Sequence, residues 1–181
     1  MCKVGCQIIV IALVGMLLPL NTTRAATVSE KESLRGLSGI ILKPMNFVST
    51  PTKVQEELPL SELTKEIESR LRQSSILLDE KISQGTNERP YLEIQGAVTQ
   101  IAANYYAYTI VVELHQEAIL MRNASRPSVV TWSEGALSTG DIQKFQDRIR
   151  LLVRMFIQDF QTMNESRSPA SSPSWRPSGT T

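Results

Sequence analysis

The sequence predicts an α+β domain: a two-layer sandwich in which a mainly antiparallel sheet of four to five strands carries two helices on one face. Three stretches predict it. From Tyr91 to Met121, apolar residues take alternate positions, with Leu92, Ile94, Gly96 and Val98 in one row and Tyr106, Tyr108, Ile110, Val112 and Leu114 in another. A period of two marks adjacent, half-buried strands. From Asp141 to Met163, Ile142, Phe145, Ile149, Leu152, Phe156, Phe160 and Met163 recur at spacings of three and four, which is one stripe of a long helix. Leu60, Leu63, Ile67 and Leu71 repeat that pattern over Pro59 to Ser74, where Ser61 is the expected cap.

The remaining elements follow from shorter signals. Lys3, the apolar run Ile8 to Leu18, the break at Pro19 and the small residues Thr23 and Ala25 read as a signal peptide over 1–25. Both cysteines, Cys2 and Cys6, precede the apolar run, so no lipid anchor and no disulfide is expected in the mature chain. Residues 26–36 are polar and read as a flexible lead-in. A single α+β domain then spans 37–163, and the Ser/Pro-rich stretch 164–181 reads as a disordered tail. Leu37 to Leu42 reads as a strand closed by Pro44, because proline donates no ladder hydrogen bond. Ile76 to Leu78 makes a second short strand, so strand, helix and strand would form a crossover if the strands are parallel. In Ser128 to Leu137 the alternation puts Val130 and Trp132 on one face, with Trp132 in the core.

Parity sets the expected hairpin register. Opposed residues share a face, so even positions must pair with even ones. A three-residue loop with Asn104 left-handed satisfies this and pairs Val98 with Ile110, Ile94 with Leu114 and Glu93 with His115. A bulge would give the same parity.

In that register His115, the single histidine, meets Glu93, with Glu113 and Glu117 two positions away on its own strand. Carboxylates around an imidazole suit a metal site or a pH-sensitive contact. Yet same-face residues lie ~6.5–7 Å apart along a strand, and metal donors must converge to ~2 Å from one point. The expectation is therefore a solvated polar cluster, with no metal and no cofactor. There is no glycine-rich phosphate loop, Gly-x-Ser-x-Gly or His-Glu-x-x-His pattern, and no catalytic residue is assigned. Lys and Arg number 19 against 18 Asp and Glu, with no basic stripe to bind nucleic acid. Ile101, Tyr105, Ala107 and Val111 give the odd face near the hairpin tip a mildly apolar character, which makes it a candidate contact surface.

The order of elements and the Tyr-rich hairpin resemble small periplasmic α+β modules of bacteria, among them lipoproteins of lipopolysaccharide assembly and transport-auxiliary domains. The chain departs from the lipoproteins in lacking a cysteine after the apolar run. The expectation is an exported, non-enzymatic module, periplasmic or secreted, with no membrane segment once mature. It would bind a protein, an envelope component or a second copy through a sheet face or edge. The alternative is a small enzyme or metal-binding protein centred on His115.

Overall fold

The computed structural model describes residues 22–165 apart from 38, 51–55, 57, 77 and 79–88. The apolar run of the expected signal peptide, most of the loop before Pro90 and the tail beyond Glu165 lie outside the described residues. The elements in chain order are β1 (Thr22–Arg24), α1 (Val28–Glu32), β2 (Ile41–Leu42), β3 (Asn46–Thr50), α2 (Leu60–Gln73), β4 (Tyr91–Ala102), β5 (Tyr105–Glu117), β6 (Ser128–Gly140) and α3 (Ile142–Glu165). They form the α+β fold expected, an open mixed sheet in the order β1-β6-β5-β4-β2. β3 also pairs with β4, so β2 and β3 occupy successive lengths of one edge, interrupted at Pro44. Both run parallel to β4, whereas β4, β5, β6 and β1 are antiparallel to their neighbours. A parallel bridge between Ile40 and Leu78 closes the crossover through α2.

The core lies between the even face of the sheet and the helices. Leu92, Ile94, Ile110, Val112, Leu114 and Trp132 have essentially no exposure, and Ile67, Leu71, Ile149, Leu152 and Phe156 meet them from α2 and α3. Edge-on aromatic pairs join the layers: Phe145 with Phe47 and Tyr108 at 5.1 and 5.4 Å, and Phe156 with Trp132 at 5.0 Å. Among the described residues, the buried apolar core begins at Ala26.

The hairpin register differs from the expected one by two residues. The turn is the two-residue Ala103-Asn104, with Asn104 at φ 55° as expected, and an irregularity at Ile101 restores even-with-even pairing. Val98 therefore faces Tyr108, Glu93 faces Glu113, and His115 faces Tyr91. A second irregularity, between Leu114 and His115, skips Thr131 on β6. It separates Val130, 45% exposed, from Trp132, which is fully buried, although alternation had put them on one face.

Two further expectations are corrected. Residues 28–32 form a helix where a flexible lead-in was expected. Thr27 and Glu30 make a capping box, Lys31 reaches Asp159 at 2.8 Å, and Leu34 is buried. At the start of α2, Pro59 takes the cap position without a side-chain hydrogen bond, and Ser61 lies inside the first turn.

Glu66 of α2 takes Arg150 of α3 in a two-pronged contact at 2.9–3.1 Å and also pairs with Arg70 at 2.8 Å. The hydrogen bonds from Arg150 hold the Glu66 carboxyl below its ordinary range. A depressed carboxylate stabilises above its unfolded pKa, and the contribution is lost as pH falls through the folded value. Glu66→Gln is expected to lower stability by about 1 kcal/mol at pH 7. Urea unfolding should show the difference closing as the pH drops below about 4.

Candidate functional site

Strand pairing lays residues out in rows across the uncovered face, odd-numbered on β4, β5 and β6 and even-numbered on β3. One row runs Val48, Ala97, Thr109, Leu137, and the next towards the hairpin tip runs Thr50, Thr99, Ala107, Thr139. Apart from the half-buried Ala107 these residues are exposed, with Val48 at 68% and Leu137 at 44%. Ile101 and Tyr105 extend the area at the tip, 54% and 41% exposed, and the Tyr105 hydroxyl bonds Thr139 at 3.1 Å. Ala107 and Val111 are half-buried among them. Of the four predicted contact residues, Ile101, Tyr105 and Ala107 lie at the hairpin end of the sheet, whereas Val111 opposes Gln95 midway along β5. Six of the eight residues in the two rows are alanine or threonine, and Val48, Leu137, Ile101 and Tyr105 are the larger exposed apolar side chains here. A depression of about 480 Å³ lies where Gly135 has no side chain, between Arg24, Val111, Glu113 and Leu137.

At the other end of the same face the polar residues gather. His115 Nε2 lies 3.5 Å from Glu93 Oε2 and 3.4 Å from Glu113 Oε2. The cluster forms even though the register is shifted, because Glu113 is two residues from His115 on β5 and Glu93, opposite Glu113, is its diagonal neighbour on β4. The shift changes what faces the imidazole directly. Tyr91 stacks on His115 with ring centres 4.5 Å apart and planes 8° from parallel. Lys43 Nζ stands 3.5 Å from the Tyr91 ring centre, on the side of β2. Gln95 donates to Glu113 at 3.3 Å. His115 Nε2 is buried and makes no hydrogen bond of good geometry. Glu117 is not part of the group; its carboxylate holds Arg126 at 3.1 Å. No set of three or more His, Cys, Asp or Glu side chains among the described residues converges as metal ligands. The Lys43–Tyr91–His115 stack was not anticipated, because only the observed register brings Tyr91 beside His115.

A third polar group sits on the core side, where sequence reading placed nothing. Glu134 of β6 is 1% exposed. Its Oε1 accepts the backbone N–H of Ala26 at 2.6 Å, and its Oε2 has no hydrogen-bond partner. Burial raises its pKa, and the nearby Asp159 carboxylate adds to the shift. Asp159 of α3 accepts from Lys31 at 2.8 Å and from the Trp132 indole at 3.2 Å.

No protein-family model matches the sequence, and no curated protein matches it. Among solved structures, the chain is similar to the PelC dodecamer from Paraburkholderia phytofirmans, at 12% identity and TM-score 0.40, covering 80% of this chain and 98% of that one. It is also similar to a single-substitution variant of the same dodecamer, at 14% identity and TM-score 0.42, covering 78% and 97%.

Proposed function

We propose that the chain is an exported, non-enzymatic binding module that engages a protein or envelope component through the open face of its sheet. The observation that carries this reading is the exposed row Val48, Ala97, Thr109, Leu137, with Ile101 and Tyr105 beyond it. An exposed sheet surface of apolar and hydroxyl side chains suits a broad partner. An enclosed pocket for a small substrate would need walls, and the described residues raise none around this face. Among the described residues no helix is long and apolar enough to cross a membrane.

His115 supports a second reading, a small enzyme or metal-binding protein. Its buried Nε2 stands between two carboxylates without a good hydrogen bond.

One experiment separates the two. A photoreactive residue is placed at Val111, and in a control at Arg154, which is exposed on α3. The full chain is then irradiated in its native cell envelope. A discrete adduct from Val111 alone is expected, and it should persist in a His115→Ala background. No adduct from either position overturns the binding surface, and loss of the adduct with His115→Ala shifts the centre of function to the polar cluster.

A further inference from the structure

We infer that the bond between Ala25 and Ala26 is a processing site, and that the α-ammonium released at Ala26 is the intended partner of the buried Glu134 carboxylate. The inference rests on the export reading. In the uncleaved chain Glu134 is 1% exposed and receives one donor, the Ala26 amide at 2.6 Å, while Oε2 receives none. A buried carboxylate in that state is incompletely compensated. Burial and the neighbouring Asp159 push its pKa up, which records the same deficit.

Hydrolysis supplies what is missing. Water adds its hydroxyl to the Ala25 carbonyl carbon, the C–N bond breaks, and the Ala26 nitrogen leaves as an amine that is protonated at neutral pH. The enzyme class required is an endopeptidase that reads small side chains at the residue before the bond and two residues further back, here Ala25 and Thr23. One N–H at Glu134 becomes an ammonium with three protons. That is enough to serve both carboxylate oxygens from an atom already at hydrogen-bond distance.

The surrounding charges agree. Asp159 and Lys31 face Glu134 and already pair with each other at 2.8 Å, so among the described residues Glu134 is the acid of this group left without a cation. Glu30 also faces it, and Glu30 is held by the Thr27 N–H at 2.6 Å and by Arg24 at 3.1 Å. Cleavage removes Arg24, whose side chain is 66% exposed, and places a new cation at the buried acid. The departing β1 contributes none of the described buried core. Its loss bares the β6 edge over 135–137 and takes Arg24 from the rim of the depression on the open face. Processing would therefore tighten the core and enlarge the proposed binding surface together.

The test uses the chain from Ala26 to Thr181, which contains all of the described core. It is made with a free Ala26 terminus, with Ala25 retained, and with Ala26 acetylated, each with Glu134 intact and with Glu134→Gln. The protein is also expressed from Met1 and its N-terminus read by mass spectrometry after fractionation of the cells. The expected native terminus is Ala26. In urea unfolding at pH 7, the free terminus should raise the folding constant at least about tenfold over both blocked forms, and Glu134→Gln should erase that advantage. The advantage should also fade as rising pH removes the ammonium proton. If Glu134→Gln does not fold, the three termini still decide the matter. Equal stabilities with Ala26 as the native terminus overturn the latch and leave export standing, as does a native terminus elsewhere in an exported chain. An unprocessed chain that stays in the cytoplasm overturns both.

Discussion

Gly96→Ala is expected to cost about 3 kcal/mol or more, the largest effect of any small substitution in the sheet. Gly96 is opposite Ile110 in the β4–β5 ladder. A methyl group there would overlap the backbone oxygen of Thr109 and stand 3.0 Å from Phe47 Cε1. Neither neighbour yields easily. Thr109 lies in the middle of β5, where its hydroxyl accepts the Ala97 N–H at 3.2 Å. Phe47 is 1% exposed and packed edge-on against Phe145 at 5.1 Å. The substitution must therefore prise β4 from β5 or push Phe47 into a filled core. Chemical denaturation measures the loss directly. Wild-type stability in the variant would mean that β4 can shift without penalty, against the close approach described above.

Asp159→Ala should destabilise by about 2–3 kcal/mol, most of it from stranding a buried donor and the rest from losing a partly exposed ion pair. The residue is 9% exposed and satisfies the Lys31 ammonium and the Trp132 indole N–H at once. Removing it strands the indole donor inside the core and frees α1 from α3. Asp159→Asn keeps an acceptor for Trp132 and loses the ion pair, so it should fall between wild type and Asp159→Ala. Limited proteolysis supplies the second readout, with cleavage near 28–33 accelerated in both variants. An Asp159→Ala protein whose 28–33 segment resists protease as wild type does would show that α1 is held by other contacts, such as Leu34.

The two-layer fold was legible because its signals are periodic. Leu92, Ile94, Ile110, Val112 and Leu114 alternate, and Phe145, Ile149, Leu152 and Phe156 repeat at helical spacing; all are buried as those periods require. The register was less legible, since an irregularity at Ile101 leaves parity intact while moving every pair by two. His115 still reached Glu113 along its own strand and Glu93 through a diagonal contact, and Tyr91 took the place opposite it. The skipped Thr131 has no mark in the sequence that distinguishes it from an ordinary strand residue. α1 escaped notice for a different reason. It is five residues long with no buried side chain, so no apolar stripe announces it. The Thr27–Glu30 pair was its only local signal. Glu134 was invisible because an acid within a strand reads as a solvent-facing position. Its burial depends on a contact 108 residues away in sequence.

The parallel attachment of β2 and β3 to β4 also sets an order of assembly. Ile41 pairs with Tyr91 and Thr50 with Thr99, so this edge has no partner until a stretch some fifty residues downstream exists. β4, β5, β6 and α3 are consecutive in sequence and joined by short connections, so their contacts close small loops. A chain threaded out N-terminus first therefore emerges with its dependent half leading and its self-sufficient half last. On the export reading, β2 and β3 would wait without their sheet partner during passage until the meander that follows them has emerged.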